Sequence, residues 1–262
     1  MKETAFLVLA LIFFNSCKKE VKQDTYSEDN LDVTTTIYPD NISKIFDAHG
    51  GIDEWNDMKG INYGIQREDY VEKHNVNLKS RKSVIEYKHH LLGFDGENVW
   101  VKNLDTTTYK GNPRFYYNLY FYFYAMPFII GDNGITYEEG PTLEVDGKEY
   151  PGILISYEAG IGESPEDQYI LYYDPDTYKM TWLAYTVTFF TKEKAKKFKL
   201  IKYSEWATVN GLQLPSKMQW HQFDDGEVGE MSNEVNFINA YLSKESPDDT
   251  LFNVAEGAII AE

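Results

Sequence analysis

Four Asp-Gly or Asn-Gly pairs punctuate this chain: Asp95-Gly96, Asp146-Gly147, Asn210-Gly211 and Asp225-Gly226. Both residues of such a pair adopt positive φ at low cost, which a two-residue hairpin turn needs if its twist is to match the flanking strands. Asp174-Pro175-Asp176 adds a further turn. The intervening segments are rich in Val, Ile, Tyr, Phe, Trp and Thr, and several alternate apolar with polar, as Ile61, Tyr63 and Ile65 do. The pattern predicts strands near 60–71, 76–90, 97–103, 149–158, 168–174, 178–190, 197–208, 212–224 and 228–242. Successive hairpins make an antiparallel meander. No helical crossover pattern of the kind a parallel sheet requires separates them, and no internal repeat is present.

Two of these strands are apolar on both faces. In 178–190, Met180, Trp182 and Ala184 point one way, and Leu183, Tyr185, Val187 and Phe189 the other. Tyr169 to Tyr173 behaves likewise. Such a strand needs cover on both sides. The aromatic segment Phe115 to Ile130 is the natural cover for one of them. Tyr116, Tyr120, Phe123 and Pro127 fall on one helical stripe, and Tyr117, Phe121, Tyr124 and Phe128 on the next. Pro127 is expected to end or kink the helix. It is either a plug that fills the interior of the sheet or an apolar lid over a cavity. Two shorter helices precede the strands: one capped by Asp40 or Asn41 with Ile42, Ile45 and Phe46 on one side, and one over 52–58 after the break at Gly50-Gly51.

The 262 residues carry a formal net charge of -17, and aromatics make up 16% of the chain. The length suits a single sizeable domain. The acidic balance disfavours nucleic acid, whose phosphates attract basic patches. It also disfavours an anionic membrane as a resting surface. No nucleic-acid partner is expected, and any membrane attachment should come from lipid and not from the domain surface.

The N-terminus supplies the anchor. Lys2 precedes a short apolar run from Ala5 to Phe14, which is followed by Asn15-Ser16 and the single cysteine, Cys17. At about ten residues the run is half the length that a membrane span requires. A basic start, a short apolar core and a small residue before the cut describe a signal peptide. We expect residues 1–16 to be a lipoprotein signal peptide and Cys17 to be lipidated. Residues 17–38 are polar and form a tether, and 39–262 form the domain. A lone cysteine leaves no internal disulfide.

Candidate chemistry is sparse. His89-His90 lies on an expected strand, where neighbours face opposite ways, and His49, His74 and His221 are scattered. No metal site and no cofactor are expected. The acidic loop Gly160 to Asp167 offers carboxylates at 163, 166 and 167 to a calcium ion, in a spacing that matches no established calcium loop. Ser164 has no nucleophile elbow around it.

Several stretches together carry a resemblance. Phe46-Asp47-Ala48-His49-Gly50-Gly51 with Trp55, and Gly93-Phe94-Asp95-Gly96-Glu97-Asn98-Val99-Trp100, are two of them. The others are the aromatic segment ending Met126-Pro127-Phe128 and the run Tyr169 to Pro175. These resemble a family of uncharacterised Bacteroidota lipoproteins, which has no assigned activity to carry over. More distantly, the Phe-Asp-Gly-x-x-x-Trp turn and the closing strands around Asn210-Gly211-Leu212-Gln213-Leu214-Pro215 are similar to the lipoprotein-localisation factors LolA and LolB. The Pro247-Asp248-Asp249 ending fits them too. That resemblance implies an α+β fold in which a curved antiparallel sheet, an incomplete β-barrel, wraps around one or more helices and encloses a cavity for acyl chains.

The expectation is thus a lipid-anchored envelope protein, by default an outer-membrane lipoprotein facing the periplasm. It would not be an enzyme and would bind an apolar ligand beside Phe121, Phe123, Tyr124, Phe128 and Trp182. The alternatives are a structural or interaction protein with a filled barrel and, last, a hydrolase.

Overall fold

Residues 38–157, 164, 166–191, 193–195 and 197–261 are described by the computed structural model. The expected signal peptide, Cys17 and nearly all of the tether lie outside the described residues. Two helices come first, α1 (Asp40–Ala48) and α2 (Ile52–Asp57). Five strands follow: β1 (Gly60–Gln66), β2 (Val71–Asn77), β3 (Ser83–Glu86), β4 (His90–Phe94) and β5 (Val99–Asn103). Three short helices, α3 (Pro113–Tyr116), α4 (Leu119–Tyr124) and α5 (Met126–Ile129), lead to seven more strands. These are β6 (Ile135–Val145), β7 (Lys148–Tyr157), β8 (Gln168–Tyr173), β9 (Met180–Tyr185), β10 (Lys199–Val209), β11 (Leu212–Asp224) and β12 (Glu227–Ser243). A 3-10 turn over Asp249–Phe252 and the short β13 (Ile259–Ile260) end the chain.

All thirteen strands join one open antiparallel sheet, in the order β13-β5-β4-β3-β2-β1-β12-β11-β10-β9-β8-β7-β6. The first five strands step outward from β1, and the last long ones step back until β12 pairs with β1, Ile65 opposite Phe237. The helical segment between β5 and β6 therefore carries the chain from one flank to the other across a single face. Aromatic residues of α4 contact β1, β12, β11 and β9 (Tyr63, Phe237, Trp220 and Tyr185). In a flat sheet β1 and β9 would lie about 19 Å apart, whereas a six-residue helix is about 9 Å long. The sheet must curve around the helices. This is the expected α+β plan, a curved open sheet wrapped around helical cover.

Three of the four hairpin pairs make the two-residue turn with both φ positive: Asp146 and Gly147, Asn210 and Gly211, and Asp225 and Gly226. At Asp95 only the glycine is positive. There the carboxylate accepts from the backbone N–H groups of Glu97 and Asn98, at 2.8 and 2.6 Å, and holds a longer turn. The glycine at the start of that motif has a packing reason: a Cβ on Gly93 would lie 2.2 Å from the Trp100 ring.

The strands depart from expectation where inward-facing residues are polar or no face is buried. The segment 60–71 ends at Gln66, and β2 appears instead at 71–77. Its inward side chains include Glu72 and His74, which hide the apolar alternation. The expected strand 76–90 splits at a turn where Arg81 takes φ 60°. The edge strand β6 is largely exposed and carries Glu138, Glu139 and Glu144, so no periodic signal marks it. The single helix expected over 115–130 is three pieces, broken at Tyr117–Asn118 and at Ala125. The break falls two residues before Pro127, which sits in the first turn of α5, where a missing N–H costs nothing.

The motif 46–51 fastens α1 to the sheet. The N–H of Gln213 donates to the His49 carbonyl at 2.8 Å. A Cβ on Gly50, which has φ 106°, would meet the Gly211 carbonyl at 2.5 Å. The His49 ring is fully buried; its Nδ1 donates to the Ile45 carbonyl at 2.7 Å and its Nε2 has no partner. Burial lowers its pKa from the ordinary 6.5 to about 4. The unfolded chain thus takes up the proton first as pH falls. The stability contributed by neutral His49 is complete above pH 6.5 and is lost between there and about 4. We expect a loss of about 3 kcal/mol from this group, read as a falling denaturant midpoint, and His49→Leu should flatten that part of the profile. An unchanged slope in the variant would contradict it.

Candidate functional site

The inner face of the sheet is filled mainly by α4 and α5. The Tyr124 ring lies 4.4 Å from Tyr63 and stacks on Phe237 at 4.6 Å. Phe128 stacks on Trp55 at 4.7 Å, with the two planes 8° apart. Both side chains are wholly buried. They serve as core, and neither lines any of the three hollows described below. Phe121 and Phe123 differ. Phe121 faces a hollow toward β3, and Phe123, set edge-on to Tyr185 at 4.8 Å, faces two hollows on the other flank. The Tyr203 hydroxyl donates to the Phe123 carbonyl at 2.8 Å and pins α4 to β10.

Trp182 does not join them, which corrects the expected site. It packs on the outer face with Ile170, Tyr172 and Leu200, and Lys202 stands over its ring at 5.2 Å. Strand alternation is the reason: Leu183 and Tyr185 face α4, so Trp182 must face away. Leu143 of the edge strand, with Phe198 and Phe223, supplies the cover that this second apolar face needs.

Three hollows surround the α3–α4 segment. The largest, about 510 Å3, is lined by Phe115, Leu119, Phe123, Tyr185, Val187 and Trp220, and also by the polar Lys199, His221 and Asn233. A smaller one of about 100 Å3 shares Phe115, Leu119 and Phe123 and continues toward Tyr157 and Tyr169. The third, about 380 Å3, shares Arg114, Asn118 and Tyr122 with the second and is bounded by β3 and β4. The volumes lie in the range of small-molecule sites, about 300 to 1,000 Å3, for the first and third. Phe115, Leu119, Val187 and Trp220 are only half-buried, and Phe190, packed on Phe115 at 5.0 Å, is 65% exposed. Large apolar side chains are thus left incompletely covered around one groove.

Beneath Tyr116 and Tyr120 lies a buried polar network. Arg67 Nη2 donates to Glu72 at 2.9 Å and to the Tyr116 hydroxyl at 2.8 Å, and that hydroxyl donates on to Glu72 at 2.9 Å. His74 Nε2 donates to Glu72 at 2.8 Å, which leaves Nδ1 to accept from the Tyr63 hydroxyl at 3.2 Å. Burial alone would raise the Glu72 carboxyl; the hydrogen bond from His74 and the Arg67 charge outweigh it and hold it below its usual range. Burial keeps His74 low against the pull of Glu72, so it is neutral at neutral pH. Every member has partners, so the network has the character of a strut between β2 and α3. None of the three hollows is lined by Glu72 or His74.

Of the acidic loop, Gly160 to Glu163 and Pro165 lie outside the described residues. Asp167 is engaged, accepting from the Thr188 N–H at 2.6 Å. His89 pairs with Asp105 and His90 with the Thr107 carbonyl. The groove residues that the sequence did not single out as lining are Phe115, Leu119, Tyr185, Val187 and Trp220. The shared face of Tyr185 and Val187 was legible in the alternation. The position of Trp220 was not, because the β11 pairing with β12 shifts register beside it.

Tyr116→Phe removes one donor and one acceptor from the strut. It should cost about 1 to 3 kcal/mol in denaturant unfolding; a change within error would mean that α3 is held by packing alone.

No protein-family model matches the chain, and no curated protein matches it. Solved structures of similar outline exist. A DUF1329 family protein from Desulfovibrio piger is 14% identical over 82% of this chain and 98% of its own, with a TM-score of 0.48. A LolA superfamily protein from Nitrosomonas europaea is 11% identical over 77% of this chain and 95% of its own, with a TM-score of 0.44. At these values the likeness is one of outline, and the functional reading below rests on the chain's own residues.

Proposed function

We propose that this chain is a lipid-anchored cell-envelope protein whose domain binds an apolar chain, such as an acyl chain, without catalysing a reaction on it. The observation that carries the reading is the groove of about 510 Å3 beside α4, in which Phe115, Leu119, Val187 and Trp220 remain half-exposed. Burying ten methylenes there would contribute about 8 kcal/mol before the cost of association. In this reading Phe123 borders the chain and Phe121 the adjoining hollow. Tyr124 and Phe128 support it from behind, and Trp182 takes no part.

A second reading is an envelope protein with a filled interior and no ligand. It draws on the complete burial of Tyr124 and Phe128. The open groove one helix turn away favours the first.

The mature chain without lipid, beginning at Lys18, should bind a fluorescent fatty acid saturably. Val187→Trp, which fills the groove, should weaken binding by tenfold or more at unchanged melting temperature. Absence of saturable binding, or binding indifferent to the filled groove, would remove this function.

The anchor is tested separately. Cys17→Ala should leave the precursor uncleaved and without acyl label in the outer-membrane fraction. Normal processing would overturn lipidation.

A further inference from the structure

We propose that the ligand is an anionic amphiphile and that its carboxylate or phosphate head is held in the hollow between β3 and α3 by Arg81, Arg114 and Ser83. The proposal rests on the apolar-chain reading above and adds the head group to it.

The hollow holds about 380 Å3. Its floor is a cross-strand row. Ser83 pairs with Val76 on one side and Phe94 on the other, so the three side chains share the inner face. Ser83 is 3% exposed and its hydroxyl has no partner. An unpaired buried hydroxyl between two apolar side chains is costly, and natural proteins seldom leave one without something to complete it. Arg81 faces the same hollow from the β2–β3 turn. Its backbone lies at φ 60°, in the left-handed region that a branched or long side chain rarely adopts. Its guanidinium is fixed twice: Nη2 donates to Asp132 at 2.5 Å, and the plane stands 5.2 Å over the Phe121 ring. Its Nη1 is buried and unpartnered. A guanidinium held in place with one N–H edge unused is preorganised for an oxygen anion.

The distribution of arginine sharpens this. Of 25 basic residues in the chain only three are arginine, Arg67, Arg81 and Arg114. Two of the three line this hollow. Arginine presents a planar fork that matches carboxylate and phosphate, where lysine offers a point charge. Arg114 and Asn118 also border the small hollow that opens on Phe115, Leu119 and Phe123. An amphiphile with its head at Arg81 would pass Asn118 and lay its chain along the apolar groove.

The test uses the chain beginning at Lys18, with palmitate, methyl palmitate, dodecyl phosphate and inorganic phosphate each displacing a fluorescent fatty acid. Palmitate and dodecyl phosphate should each bind roughly tenfold or more tighter than the uncharged ester. Arg81→Met with Arg114→Met should bring palmitate down to the level of the ester while the ester is unchanged. Ser83→Ala loses no bond within the protein, so it should stay folded and still reduce the preference for the acid. Val187→Trp should weaken acid and ester alike. Equal binding of acid and ester, or a preference that survives both the double arginine variant and Ser83→Ala, would overturn the head-group site and leave apolar-chain binding standing. Failure of acid and ester alike to bind would overturn both. Inorganic phosphate displacing the probe as well as dodecyl phosphate does would assign the hollow to a free anion and end the amphiphile proposal.

Discussion

Tyr124, set against Tyr63 of β1 at 4.4 Å and stacked on Phe237 of β12 at 4.6 Å, makes the contact on which the rest of the molecule is built. It fastens the crossing segment to the seam where β1 pairs with β12. Each aromatic pair contributes about 0.5 to 1.5 kcal/mol beyond the area it buries, and Phe128 on Trp55 extends the same layer to α2. Without that filling, much of the inner face of the sheet would be left to α1 and α2 alone. With it the sheet curves, because strands on both flanks reach for the same short helices. Two of the hollows lie where this filling stops, at Leu119 and Phe115.

Much of this plan was legible in the residues. The Asp-Gly and Asn-Gly pairs located real hairpins, and the strands apolar on both faces correctly required two layers of cover. The aromatic stretch 115–130 was recognisable as one of them. What stayed hidden follows from physics that periodicity does not carry. The strand β2 turns Glu72 and His74 inward into a satisfied network, so its inner face reads as polar. The edge strand β6 buries little and so shows no pattern. Trp182 was expected in the site, although the alternation that places Leu183 toward α4 sends Trp182 outward, where Leu200 and Tyr172 receive it.

The site was half legible. Phe123 lines the groove and Phe121 the hollow toward β3, whereas Tyr124 and Phe128 differ from them only in tertiary surroundings, and no sequence spacing separates the two roles. Arg81 and Ser83 drew no notice, since a turn arginine and a strand serine are ordinary in sequence. Their character comes from tertiary placement: a hydroxyl and a guanidinium nitrogen buried without partners beside one hollow. The satisfied Arg67–Glu72–His74 network nearby shows the contrast. There, each polar group has its complement and the result is a strut; the Arg81 Nη1 and the Ser83 hydroxyl have none among the described residues.

The central claim, that an apolar chain lies along α4, is tested most directly by photolabelling. A fatty acid bearing a diazirine near its chain terminus is bound to the chain beginning at Lys18, irradiated, and the labelled peptides mapped. Label on residues 115–123 and on the segments carrying Tyr185, Val187 and Trp220 is the expected result, competed by unlabelled palmitate. Label spread over the surface, or concentrated elsewhere and indifferent to palmitate, would contradict it.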